Sequence, residues 1–247
     1  MIISANTLFH FTRDYDTLLS ILKSRFLPRL CLEQCLLVKK KWAIPMVCFC
    51  DIPLSSIAEH TIKYGGYAIG IKKSWAINKD VNPVLYVPEK SRFVSFGMGA
   101  LKSARNLNQD SESETISGIT KQLLSMFFLM KPYEGEQEVN ESVQRIRFYD
   151  EREWRYVPPI IKGKKPWLWE DEFNNESKRD AFNTAINNKG YGVPFNPDVI
   201  NYIIVNSEDE ILPLMRAITE IKGGFSYESV ELLKTKILSM DRIRQDF

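Results

Sequence analysis

The chain has 247 residues, of which 44% are hydrophobic and 26% charged, a composition that excludes a disordered, collagen-like or low-complexity protein. Its 33 lysines and arginines against 31 aspartates and glutamates leave a net charge of +2, so no global excess points to nucleic acid or to a membrane surface. No stretch approaches the ~18 consecutive apolar residues of a membrane span, and the N-terminus MIISANTLFHF lacks the basic start and long apolar run of a signal peptide. The four cysteines, Cys31, Cys35, Cys48 and Cys50, crowd into one short region of a chain too large to need staples. That usage predicts reduced thiols and a cytoplasmic location.

In chain order, TLFHFT predicts a strand carrying His10 and Thr12. RDYDTLLSILKSRF follows with a helical apolar period, and Asp14 or Asp16 is placed to cap it. In LCLEQCLL, Cys31 and Cys35 stand at i, i+4, which suits one face of a helix, whereas PMVCFCDIP reads as a strand closed by Pro53 with Cys48 and Cys50 sharing a face. The resulting C-x3-C and C-x-C spacing departs from the paired C-x2-C knuckles of zinc ribbons, so the thiols read as core filler first and no metal ligand is assigned, with a structural zinc held by the four converging thiols as the lesser alternative. SSIAEHTIKYG predicts a short helix ended by Gly65-Gly66. GYAIGIKKSWA predicts a strand running into a turn, and NPVLYVP a further short strand.

Over residues 98–144 the character changes: a polar, serine-rich stretch leads into TKQLLSMFFLMKPYEG, the most apolar helix in the sequence, and then into the acidic EGEQEVNESVQ, which reads as a loop. RIRFYDEREWRYVPP predicts a charged strand, followed by a long connection rich in Trp, Asn and Lys. NPDVINYIIVNSEDEILPLMRAITE predicts a strand feeding a helix, and SYESVELLKTKILSM a closing helical pattern. Residues 1–247 therefore read as a single α+β domain with an insertion at 98–144. Met126 to Met130 reads as core or as a dimer contact. Lys39-Lys40-Lys41 before Trp42 reads as a solvated loop. Lys72-Lys73 with Trp75, and Lys162-Gly163-Lys164-Lys165 with Trp167 and Trp169, interleave charge with aromatic rings, a mix that suits single-stranded nucleic acid.

Three segments carry chemistry-bearing residues in a suggestive order: His10-Phe11-Thr12 with its helix, Tyr64 to Trp75, and Glu151-Arg152-Glu153-Trp154-Arg155. From the residues alone, His10 between two phenylalanines also fits a hydrogen-bonded core histidine. The alternation of Glu151, Arg152, Glu153 and Arg155 also fits a salt-bridge ladder on a solvated face, with Trp154 turned into the core. The order H-x-T, Tyr/Gly strand, E-x-E resembles the ADP-ribosyltransferase-like group. FHFT, LLSIL, IPMVCFCDIPLS, YGGYAIGIKKSWA and NPVLYV together resemble the AbiGi family of abortive-infection phage-defence proteins.

The first resemblance implies a split β-sheet core with flanking helices and NAD as the substrate. Glu153 would then be the catalytic carboxylate with Glu151 beside it on the same strand face. His10 and Thr12 would hold the cofactor ribose, Tyr64 or Tyr67 would stack on nicotinamide, and Arg29 would pair with the pyrophosphate. ADP-ribose would pass to protein, nucleic acid or a small molecule, or NAD would be cleaved without transfer. The second resemblance implies a non-catalytic antitoxin on the same scaffold, acting with a cognate defence or toxin protein. Both readings stay open at this point.

Overall fold

The computed structural model describes residues 5–38, 40–110, 114–139, 142–160 and 165–246. Lys39 and Lys162-Gly163-Lys164 lie outside the described residues. Strand β1 (Thr7–Thr12) and helix α1 (Tyr15–Lys23) stand where the sequence predicts them, and Asp14 is the cap, its carboxylate accepting from the Thr17 N–H at 2.7 Å. The helix expected around Cys31 and Cys35 is instead strand β2 (Arg29–Gln34), antiparallel to β3 (Lys41–Cys50) with Arg29 opposite Met46 and Gln34 opposite Lys41. A neighbouring strand of matching register satisfies every second residue of β2 in one ladder, whereas an isolated helix of that length is marginal. Helix α2 (Ile57–Tyr64) ends at Gly65, and β4 (Tyr67–Lys72) runs into helix α3 (Lys73–Asn78) rather than a turn. The NPVLYV strand is split into β5 (Asn82–Pro83) and β6 (Leu85–Val87).

Helix α4 (Arg92–Asp110) precedes α5 (Glu114–Phe128), and only the second was legible in the sequence. Val94, Leu101 and Ala104 of α4 are buried at helical spacing, and a Cβ on Gly97 would fall 2.6 Å from the Phe127 ring of α5, so glycine sets how closely these two helices approach. Leu124, Phe127, Phe128 and Met130 are core, while Met126 is exposed. After β7 (Met130–Pro132), the expected acidic loop is an antiparallel hairpin of β8 (Gly135–Val139) and β9 (Ser142–Ile146). Glu136 stands opposite Arg145 and Gln137 opposite Gln144, cross-strand pairings that offset the poor strand propensity of the acidic residues.

The charged strand expected over RIRFYDEREWRYVPP is interrupted by a 3-10 turn at Phe148–Glu151 before β10 (Glu153–Tyr156). Within the Trp-rich connection lie β11 (Leu168–Trp169), α6 (Glu170–Asn174) and α7 (Glu176–Asn188), the last capped by Asn175. The C-terminal part holds β12 (Ile200–Val205), α8 (Ile211–Ile221), α9 (Tyr227–Lys234), β13 (Ile237–Ser239) and α10 (Met240–Asp246). The closing helical pattern is thus broken after Lys234, because Ile237 to Ser239 pair in parallel with Ile203 to Val205.

The fold is α+β, and the chain divides into two compact units, each assembled from separated stretches: 1–27, 48–82 and 192–247 in the first, 28–47 and 83–191 in the second. In the first unit the strands run β13-β12-β4-β1, parallel between β13 and β12 and antiparallel beyond, with Phe9 of β1 opposite Cys50. Phe9, Ile52, Ile57, Ala68, Ile204 and Met240 form its buried centre, with α2 and α10 contributing one face. In the second unit β11-β3-β2 pair antiparallel, β6 and β7 pair in parallel, and Leu30, Ala43 and Leu168 pack with Phe173 and Phe182 of α6 and α7.

Gly65 adopts φ +105°, and a Cβ there would lie 2.3 Å from the Thr12 carbonyl oxygen. Gly65→Ala is expected to destabilise the fold by about 1–3 kcal/mol, through a left-handed backbone and a backbone clash together. Gly99→Ala, in α4 with open space around the new methyl, should be neutral or stabilising by about 0.5–1 kcal/mol. Urea denaturation of the two variants checks both signs.

Candidate functional site

The densest group of chemistry-bearing side chains lies inside the second unit. Burial along β10 alternates so that Glu153 and Arg155 point inward while Trp154 and Tyr156 are half-exposed, the reverse of a solvated ladder with Trp154 in the core. Arg155 has 0% exposure and Glu153 6%. The Arg155 Nε donates to Glu153 Oε1 at 2.7 Å and its Nη2 to Oε2 at 2.8 Å, a bidentate fork within one strand. Nη2 also lies 3.0 Å from Glu33 of β2, and Nη1 donates to the Phe128 carbonyl at 3.3 Å.

Glu151 does not share the strand with Glu153, because it closes the 3-10 turn and Arg152 between them is left-handed at φ +46°. That kink nevertheless brings the two carboxylates to one ammonium. Lys131 of β7 donates to Glu151 at 2.6 Å and to Glu153 at 3.1 Å, and stands 3.7 Å from Glu33. The Tyr86 hydroxyl accepts the Glu153 backbone N–H at 2.8 Å, and Val84 N–H donates to the Glu153 carbonyl at 2.9 Å. Burial opposes the charge on Lys131, but Glu33, Glu153 and Glu151 outweigh it and hold the ammonium protonated well above its ordinary range. Burial pushes the Tyr86 phenol up, so it stays protonated. Glu33, Lys131 and Tyr86 were absent from the sequence-derived site, and Arg155 entered it only as part of a solvated ladder. The signal was present for two of them: a lone Lys inside LMKPY and a lone Glu inside LCLEQC, charges where the apolar pattern leaves no solvated face.

His10 and Thr12 lie on β1 in the first unit. His10 Nδ1 sits 2.8 Å from the Cys48 carbonyl, and since a carbonyl only accepts, Nδ1 carries the proton. Phe26 and Phe49 flank the ring at centroid distances of 5.2 and 5.6 Å. Burial lowers the His10 pKa, the Cys48 hydrogen bond working against it, so the imidazole is neutral at pH 7. Thr12 is buried and stands opposite Tyr67 in the β1–β4 ladder. The Tyr67 hydroxyl donates to Glu210 at 2.7 Å, and Glu210 in turn accepts from the Asn206 and Ser207 N–H groups. Tyr64 packs beside Phe11 and His60. Arg29 opens β2 in the second unit and is exposed.

Cys35 and Cys50 are buried, Cys31 and Cys48 partly so, and among the described residues no group of three or more His, Cys, Asp or Glu side chains is placed to hold a metal ion. Of the lysine and tryptophan runs, Lys73 is paired with Asp51 at 2.8 Å and Lys41 with Glu170 at 3.2 Å. Lys165 is paired with Glu172. Among the described residues no helix is long and apolar enough to cross a membrane.

Residues 24–206 match the model of the family described as "Putative abortive phage resistance protein AbiGi, antitoxin". The chain belongs to the AbiGi family. An "Abortive phage resistance protein AbiGi" of Lactococcus lactis subsp. cremoris is 29% identical over 228 residues, covering 84% of this chain and 90% of that protein. No solved structure matches the chain. The AbiGi match begins after His10 and Thr12 but spans Glu33, Lys131, Glu151, Glu153 and Arg155, so the buried ionic group lies within the AbiGi portion and the H-x-T segment precedes it.

Lys131→Met removes the ammonium from three carboxylates and is expected to cost about 3–5 kcal/mol, read as a lower urea midpoint, because it leaves buried charge without its partner. His10 should titrate below 6.5 in a two-histidine NMR spectrum. Since its folded pKa is depressed, the unfolded chain binds the proton more readily. The His10 contribution to stability is complete above pH 6.5 and declines as pH falls toward the folded value.

Proposed function

We propose that this AbiGi protein is the antitoxin of an abortive-infection pair, a binding module that neutralises a cognate toxin without performing chemistry. The observation that carries the reading is the commitment of Glu153: both of its oxygens accept from Arg155 and one also from Lys131, inside a group that is almost wholly buried. A carboxylate that polarises a ribose hydroxyl needs an oxygen turned to substrate. Here the pairing ties β10 to β7 and β2, a use that suits a rigid scaffold presenting a surface. The antitoxin description of the family supports the same role.

The NAD reading assigns Glu153 and Glu151 to catalysis, His10, Thr12 and Arg29 to cofactor binding and Tyr64 or Tyr67 to nicotinamide, on an ADP-ribosyltransferase-like split sheet. It is favoured by the kink at Arg152, which delivers a second carboxylate beside the first, as a paired acid and base would require. The two readings part on one comparison. Co-expression with the product of the neighbouring gene should restore growth of cells that this product alone arrests. Glu153→Gln, kept at a temperature where it stays folded, should restore growth as well as the parent protein, with unchanged NAD in both cultures. Loss of cellular NAD or labelling of macromolecules with ADP-ribose by the parent protein, abolished in Glu153→Gln, would establish the enzyme instead.

A further inference from the structure

The second unit carries a groove of about 490 Å³, lined chiefly by Pro45, Phe128, Pro158, Leu168, Phe182 and Ile186. Its volume falls in the range of roughly 300–1,000 Å³ typical of ligand sites, but such sites place a few convergent polar groups against their ligand. Among the described residues three charged side chains line it, and two of them are engaged with each other: Lys165 and Glu172 form an ion pair, and Glu172 also accepts the Trp169 N–H at 2.8 Å. A polar metabolite would leave its donors and acceptors unmatched against proline, phenylalanine and leucine, which costs more than the contacts return. The lining instead suits an apolar side chain of a protein, the kind of buried anchor that dominates the energy of an interface.

The third charged group gives the direction. Lys178, in the first turn of α7, is exposed, and its charge adds to the Lys165 and Trp169 hydrogen bonds that hold the Glu172 carboxyl below the usual carboxylate range. Lys165 and Lys178 thus share one carboxylate, so among the described residues the lip of the groove carries an excess of positive charge beside an apolar bed, and its complement is a further carboxylate next to the anchor.

We propose that this groove receives a large aliphatic or aromatic side chain flanked by an aspartate or glutamate, supplied by the toxin that the antitoxin reading requires and on which this inference rests. The groove excludes water from the anchor, and Lys178 selects among anchors by pairing with the flanking carboxylate at the solvated lip, where such a contact governs association and salt dependence more than holding strength.

The test is calorimetric titration of the purified neighbouring-gene product into the full-length protein and two variants. Ala185→Trp places an indole in the groove, and affinity should fall by at least about tenfold, as loss of a central anchor does. Lys178→Glu changes only an exposed side chain, and affinity should fall by about threefold to tenfold at low salt, with the difference shrinking as salt rises. If Ala185→Trp lowers the melting temperature, Ala181→Trp, on the exposed adjoining turn of the groove wall, takes its place. Binding by the parent and equally by the tryptophan variant overturns the groove and leaves the antitoxin reading standing. An affinity unchanged in Lys178→Glu overturns the flanking carboxylate. Failure of the parent protein to bind the toxin removes the antitoxin reading and this inference together.

Discussion

Withdrawing a guanidinium from water costs several kcal/mol, and Arg155 is withdrawn completely, so the second unit is organised around whatever repays that cost. The repayment comes from Glu153 on the same strand, Glu33 on β2 and the Phe128 carbonyl at the end of α5, with Lys131 of β7 closing the ring of charge. Each of these groups accepts or donates along fixed directions, so a strand shifted by one residue would leave a buried charge without a partner. The ionic group is therefore a device for specifying one arrangement of β2, β7 and β10 rather than a reserve of stability.

The local backbone reflects the same requirement. Arg152 occupies a left-handed conformation that costs a non-glycine residue energy, and the 3-10 turn before it interrupts an otherwise plausible strand. Both distortions deliver Glu151 to Lys131. Without the kink, Glu151 would fall one strand pitch from Glu153 and Lys131 would face only Glu153 and Glu33. The first unit is built differently. Its sheet is buried by Phe9, Ala68, Ile69, Ile203 and Ile204, and its polar contacts, such as Tyr67 with Glu210, fasten turns to the sheet rather than filling its centre.

Membership of the AbiGi family places the chain among proteins described in terms of abortive phage resistance. The ionic group within the AbiGi span connects that membership to physics. On the proposed antitoxin reading, a surface ordered before the partner arrives is favourable, because ordering on association subtracts from affinity. Strands fastened by directional ion pairs, with a proline-walled groove in the same unit, are arranged in that way.

Local patterning along the chain settles the α+β class, β1 and its helix, the strands around Cys48 and Tyr67, β12 with α8, and the two glutamates of the E-x-E run. These are decided by periodicity, caps and glycines, all of which act over a few neighbouring residues. It misassigned β2, the β8–β9 hairpin and β13, and it passed over α4. For the three strand segments the deciding contacts are ladder hydrogen bonds to residues distant along the chain or across a turn, and local propensity carries no record of them. Which way Glu153 and Trp154 face was likewise undecidable from alternation, since a period of two fits either orientation. Only the tertiary structure resolved it, because an inward glutamate is permitted solely where Arg155 and Lys131 arrive from the same strand and from β7 to meet it.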